Sequence, residues 1–238
     1  RFMQRVGLDA PAISWTASRD KLGEWCNLLA LISSTGDRIG QEIYNLQRPE
    51  IGEASEGFVT GTIGSITMPQ KRNPEIAEHL GTLARVVRHH AAHMVENLVH
   101  HHERDGRSWK SEWHILPDIC MAAAKSLALL EQLVSNVEVY PQRMRENLLT
   151  GGGFVFAEAV MLELAKTLGK QTAHGIVYDV AMRAQYSGID FKTALLAESA
   201  ITENLEKTRI ESLFDLDRCI GACAEMVDQV LDRSTAKP

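Results

Sequence analysis

Apolar residues recur along most of the chain at helical spacing. Between Asp20 and Leu46 they fall at Leu22, Trp25, Leu29, Ile32, Ile39, Ile43 and Leu46, mostly three, four or seven apart. A second run, from Asn73 to about His102, carries Ile76, Leu80, Leu83, Val87, Ala91, Met94 and Leu98. Pro74 sits just inside its start, where a missing N–H costs nothing. A third run follows Pro117, with Ile119, Ala123, Leu127, Leu130, Val134 and Val137. Each predicts an amphipathic helix roughly 30–45 Å long at about 1.5 Å per residue. Three such helices with alanine-rich faces predict a bundle. No segment alternates apolar and polar residues convincingly, so the expected fold class is all-α.

The pattern changes past Tyr140-Pro141 and again at Gly151-Gly152-Gly153. Shorter helical patterns follow: Phe156 to Leu168 closed by Gly169, Thr172 to Tyr186 closed by Gly188, Phe191 to Glu198, and Asp217 to Leu231. The expected organisation is a partial helical-bundle domain over 1–145 and a small helical domain over 146–238. One stretch, from about Gln47 to Arg72, has no helical stripe and contains Gly52, Gly57, Gly61 and Gly64. A loop this long inside a compact domain is uncommon and usually functional. It runs into the second long helix, so 47–74 is the segment to examine for chemistry.

Composition narrows the classes. The chain has 238 residues, enough to bury a real core in one large domain or two modest ones. A net charge of -6 leaves no basic footprint for nucleic acid. No apolar run approaches the roughly 20 residues of a membrane span, and the start lacks a signal-peptide pattern. Cys26, Cys120, Cys219 and Cys223 are too scattered for a disulfide framework. A cytoplasmic protein with no membrane or nucleic-acid partner is expected.

The loop ends Gly64-Ser65-Ile66-Thr67-Met68-Pro69-Gln70-Lys71-Arg72-Asn73-Pro74. A hydroxyl, an ammonium and a carboxamide gathered at a positive helix end suit a carboxylate substrate and the charge that builds up beside it. The plainer reading is a polar loop that only caps the helix. His89 and His93, one turn apart, have the spacing of a zinc pair, but no cysteine or carboxylate at metal spacing completes a site; they read as surface decoration.

The run Gly64-Ser65-x-x-Met68-Pro69-x-Lys71-x-Asn73-Pro74 resembles the signature of the fumarase/aspartase superfamily, usually Gly-Ser-Ser-x-Met-Pro-x-Lys-x-Asn. The resemblance implies an all-α homotetramer with a twenty-helix core and active sites built from three subunits. It implies that Ser65, as an alkoxide, removes the proton alpha to a carboxylate, and that Lys71 and Asn73 hold that carboxylate as its charge doubles. Ile66 replaces the usual second serine. Glu78 falls where several family members keep a glutamate that orients a catalytic histidine; its plainer reading is a solvated helix carboxylate. Thr67 and Met68 in the motif, with Arg19, Arg104 and Trp109, are the expected substrate-binding residues. For Arg104 a helix-end salt bridge is the alternative. No metal or organic cofactor is implied, because the substrate's own carboxylate is the electron sink.

Within the superfamily, the segment His102-Glu103-Arg104 followed by Trp109-x-x-Glu112-Trp113-x-x-Leu116-Pro117 resembles bacterial 3-carboxy-cis,cis-muconate cycloisomerases. The likeness extends to Arg19-Asp20-x-Leu22, Met144-Arg145-x-Asn147-Leu148 and Ala157-Glu158-Ala159-Val160. Adenylosuccinate lyases share the Glu-Arg-Asp and Leu-Pro-Asp, but place a serine and an arginine where Trp109 and Trp113 stand. An indole has one donor and no charge, so it cannot grip a phosphate as a guanidinium does. Glu78 points the other way, towards the adenylosuccinate lyases. The resemblance implies a cycloisomerase of aromatic catabolism in the beta-ketoadipate pathway, with a fumarate-releasing lyase as alternative and a non-catalytic oligomer of the same fold as a third reading. Family members also carry an N-terminal part that supplies the general-acid histidine. The chain is therefore expected to be the C-terminal half of an enzyme, inactive alone, with an exposed bundle face that drives association.

Overall fold

The computed structural model describes residues 1–13, 15–57, 67–68 and 71–235. Along the chain the helices are α1 (Phe2–Arg5), α2 (Asp20–Leu46), α3 (Glu75–Glu96), α4 (Gly106–Asn136), α5 (Pro141–Thr150), α6 (Ala157–Leu168), α7 (Lys170–Ser187), α8 (Phe191–Ala197), α9 (Ser199–Thr202), α10 (Lys207–Ser212), α11 (Leu216–Cys219) and α12 (Cys223–Thr235). Two strands of two residues each, β1 (Ala54–Ser55) and β2 (Glu138–Val139), pair antiparallel with Ala54 opposite Val139. The all-α expectation holds apart from that short ladder. The chain divides into two compact units, Arg1–Arg143 and Met144–Pro238.

In the first unit α2, α3 and α4 pack together, but not on the face that apolar spacing suggests. The buried residues of α2 are Gly23, Cys26, Leu29, Ser33, Gly36 and Gly40, nearly all small. A Cβ at Gly40 would lie 3.3 Å from the Ala77 Cα and 3.2 Å from Leu80, so the absence of a side chain lets α3 come close. Trp25 and Ile39, two of the expected core residues, are exposed. The reason is that α2 has two non-polar faces: a small-residue face that sets the interhelical distance, and a bulky one left outside in the single chain. Leu127 and Val134 on α4 are likewise exposed, while Ile115, Ile119, Ala122, Ala123, Leu129 and Leu133 are buried. Each of these helices therefore keeps a second apolar face that the described residues of this chain leave uncovered.

α4 also starts earlier than the sequence suggests. Pro117 lies inside it, not before it. Asp105 caps the helix, its carboxylate accepting from the Arg107 N–H at 2.9 Å, and Arg107 draws its pKa well below the ordinary carboxylate range. That cap and the buried side chains on both sides of Pro117 outweigh one missing hydrogen bond. By length and composition α4 is apolar enough to cross a bilayer, contrary to the expectation from the sequence. Its packing against α2 and α3, with a buried ion pair at Glu112, is that of a bundle core helix.

The second unit has its own core of Val160, Leu164, Ala173, Val177, Val180, Phe191, Leu195, Ile201 and Ile210. Gly169 and Gly188 end or join helices at positive φ, 78° and 65°, where the missing Cβ removes the strain. Glu163 on α6 accepts from Arg209 at 2.9 Å and Lys166 at 2.7 Å, and these cations pull its pKa down to about 2. The expected last helix is two, α11 and α12, parted at Gly221 with φ 58°. No described residue of α12 is buried, and Met226, Val227, Val230 and Leu231 face outward.

Candidate active site

The expected site residues gather in two places, at opposite ends of α3. Thr67, Met68, Lys71, Asn73 and Glu78 lie just before or within its first turn; Arg104, Trp109 and Trp113 follow its last. The helix has 22 residues, so the ends stand about 33 Å apart at 1.5 Å per residue. One chain does not bring the two clusters together. Ser65, on which the expected proton abstraction falls, lies outside the described residues.

At the first end the loop is held by its base. Gln47 Nε2 donates to the Arg72 carbonyl at 3.4 Å, and Gln47 Oε1 accepts from the Glu56 N–H at 2.9 Å. One side chain thus joins the outgoing and returning limbs. The outgoing limb is pinned further by β1–β2 pairing, by Tyr140 N–H donating to the Glu53 carbonyl, and by the hydroxyls of Ser55 and Tyr140 at 2.8 Å. Arg143 Nε donates to the Ile51 carbonyl at 3.0 Å. Gly57 passes so close to the end of α4 that an added Cβ would lie 1.9 Å from the Asn136 carbonyl oxygen. Gly57→Ala should therefore cost about 1–3 kcal/mol, the usual range for overpacking. Urea unfolding measures it; an unchanged midpoint would mean the limb shifts freely.

The positive end of α3 is already occupied. Glu56 accepts from the N–H groups of Ile76 at 3.1 Å and Ala77 at 2.6 Å, while burial pushes its pKa up. The N–H groups of Glu75 and Glu78 donate to the Asn73 and Pro74 carbonyls. The amides expected to meet an anionic substrate are thus spent on Glu56 and the chain itself. The groups left at this end are side chains, among them Lys71 and Asn73. Lys71, Thr67, Met68 and Glu78 are exposed and Asn73 is half-buried. Sequence reasoning missed Glu56 and Gln47, because their partners lie 20 and 25 residues away and no local pattern marks such a bond.

At the other end, His102 takes φ 56°, the left-handed region that residues with a Cβ seldom adopt, as the chain turns from α3 into α4. Arg104 is exposed, its guanidinium 5.9 Å from the centre of the Trp109 ring. Trp109 and Trp113 meet edge to face, centroids 5.4 Å apart, and remain 41% and 59% exposed. The result is an outward aromatic pair carrying one cation. Arg19, unlike Arg104, is not exposed on this surface. It is buried, with Nε donating to Glu112 Oε1 at 2.7 Å. No three His, Cys, Asp or Glu side chains gather at metal-binding distance among the described residues.

A bundle of long helices joined through a Gly-Ser-x-x-Met-Pro-x-Lys-x-Asn loop defines a class of lyases, and comparison with known proteins agrees. A family model described as adenylosuccinate lyase C-terminus matches residues 153–230, and one described as lyase matches residues 4–88. The N-acetyl-S-(2-succino)cysteine lyase of Dickeya dadantii (strain 3937) is 38% identical over 229 residues, covering 96% of this chain and 50% of that protein. The 3-carboxy-cis,cis-muconate cycloisomerase of Bradyrhizobium diazoefficiens is 31% identical over 232 residues, covering 98% of this chain and 51% of that protein. A crystal structure of fumarate lyase from Mesorhizobium sp. BNC1 superposes with a TM-score of 0.88 at 30% identity, covering 97% of this chain and 51% of that one. The chain belongs to the fumarate lyase (fumarase/aspartase) superfamily, and it spans about half the length of the relatives it matches.

Proposed function

We propose that the protein is a lyase that eliminates a thiol from an S-succinyl thioether, releasing fumarate. The observation that carries the reading is the Arg104–Trp109–Trp113 surface, one cation on an uncharged aromatic pair. It suits a leaving group with one carboxylate and an apolar amide or thioether portion, and the two indoles carry no charge to meet a phosphate dianion. The 38% identity to a succinocysteine lyase, against 31% to a cycloisomerase, points the same way.

In this reading Ser65 takes the proton alpha to the succinyl carboxylate. The electron pair moves into that carboxylate, where the Lys71 ammonium and the Asn73 amide stabilise the doubled charge. The pair then returns to form the double bond as the C–S bond breaks and the thiolate leaves. Glu78 orients a histidine from outside this chain. Arg104 and Trp109 hold the departing portion. The 33 Å separation along α3 and the exposed bulk of α2 and α4 support a site completed by other copies, in a homotetramer.

Cycloisomerisation of 3-carboxymuconate is the second reading, favoured by the Trp109-x-x-Glu112-Trp113-x-x-Leu116-Pro117 run. It uses the same carboxylate-stabilised carbanion with an internal carboxylate in place of the thiol. Three parallel ultraviolet assays on the complete protein decide. Fumarate released from N-acetyl-S-(2-succino)cysteine alone is the expected result. Loss of 3-carboxymuconate alone would establish the second reading, and cleavage of adenylosuccinate would show that the aromatic surface does not exclude nucleotides.

A further inference from the structure

Arg19 and Glu112 lie 93 residues apart and meet at 2.7 Å, with both side chains 6% exposed. Arg19 also donates Nη1 to the Trp15 carbonyl at 3.3 Å and lies 5.5 Å from the centre of the Trp15 ring. The guanidinium is thus held from three sides at the start of α2. Its partner sits between Trp109 and Trp113 in the sequence of α4.

We infer that Arg19 and Glu112 are positioning residues that set the rotation of the first turns of α4 and so aim the Trp109–Trp113 pair. At about 100° per residue, Trp109 and Trp113 lie roughly 60° and 100° round the helix from Glu112, on the same side. They are neighbours one turn apart, and wherever Glu112 is anchored, both rings follow. An apolar side chain at 112 would bury as well but would tolerate sliding and rotation, because hydrophobic contact has no direction. A charge-assisted hydrogen bond does not. The same end of the bundle carries two further cross-links: Thr16 Oγ1 donates to the Glu103 carbonyl at 3.3 Å, and Asn97 Nδ2 to Ser111 Oγ at 2.5 Å. Between them they hold the turn that carries Arg104 against the starts of α2 and α4. The effect on substrate choice rests on the proposed function; the aiming of the tryptophans does not.

Two indoles 5.4 Å apart and steeply inclined couple excitonically, which circular dichroism reads as a paired band. Trp109→Phe assigns that band by removing it. In the complete protein, the Arg19→Met/Glu112→Leu double variant replaces the pair with side chains of similar bulk, which a core tolerates. We expect it to keep its helical signal and unfolding midpoint while losing most of the couplet, and to raise KM with kcat nearly unchanged. Arg19→Lys is the second variant: it keeps the charge but not the planar fork, and should lose part of the couplet while staying folded. An undiminished couplet in either folded variant overturns the inference. Loss of the couplet with KM unchanged upholds the aiming and overturns the substrate-facing reading of the tryptophans.

Discussion

Ser65→Ala in the complete protein should lower kcat by about 10²–10⁴-fold with KM little changed, the range for removal of a general base. The size follows from what else stands at that end of the bundle. The first-turn amides of α3 are committed to Glu56, Asn73 and Pro74, so they supply no reserve of positive potential for the doubled carboxylate charge. In the proposed reaction Lys71 and Asn73 stabilise the intermediate, and the Asn73 carboxamide is not basic enough to take the proton. In that proposed reaction, loss of the serine leaves binding and charge stabilisation in place and removes only the proton acceptor. A steady-state assay with N-acetyl-S-(2-succino)cysteine, the substrate proposed above, reads it. Turnover equal to the parent would show that Ser65 is not the base and that the loop serves another step.

Arg19→Met alone should destabilise the first unit by about 3–5 kcal/mol, because it leaves the Glu112 carboxylate buried without its partner. The double variant with Glu112→Leu should recover most of that loss, since neither member then carries a buried charge. Denaturant unfolding of both separates the two effects. Arg183–Glu198 is the internal control: the arginine is 68% exposed, and its removal should cost less than about 1 kcal/mol. Equal losses at the two pairs would mean that water reaches Glu112 when Arg19 is gone.

The helical bundle was legible because 3.6-residue periodicity survives in every long segment, and α2 runs from Asp20 to Leu46 as its spacing indicates. What misled was the assumption that the bulkiest stripe is the buried one. In α2 the small residues Gly23, Gly36 and Gly40 face the neighbouring helices, and Trp25 and Leu31 do not. The start of α4 was hidden by Pro117, whose usual meaning as a boundary is overridden by buried packing on both sides. The candidate site was legible only as a motif, Gly64 to Pro74, of which 67–68 and 71–74 are described. Its supports were not: Gln47, Glu56 and the Arg19–Glu112 pair act across 20 to 93 residues of sequence, and distance in the chain leaves no periodic trace. Nor does either motif reveal that the two clusters, Thr67 to Glu78 and Arg104 to Trp113, stand at opposite ends of α3.

The base of the 47–74 loop has a consequence for how this region can change. With Gln47 joining both limbs and Glu56 tied to α3, the ends of the intervening stretch are fixed by residues outside it. Closing such a stretch costs conformational entropy that grows only with the logarithm of its length, about 0.6 kcal/mol for each doubling. A change of chain length between Gly57 and Lys71 therefore alters that closure cost only slowly. The end of the bundle is a socket whose fastenings, Gln47 to Glu56 and Arg72 and Glu56 to α3, involve none of residues 58–70.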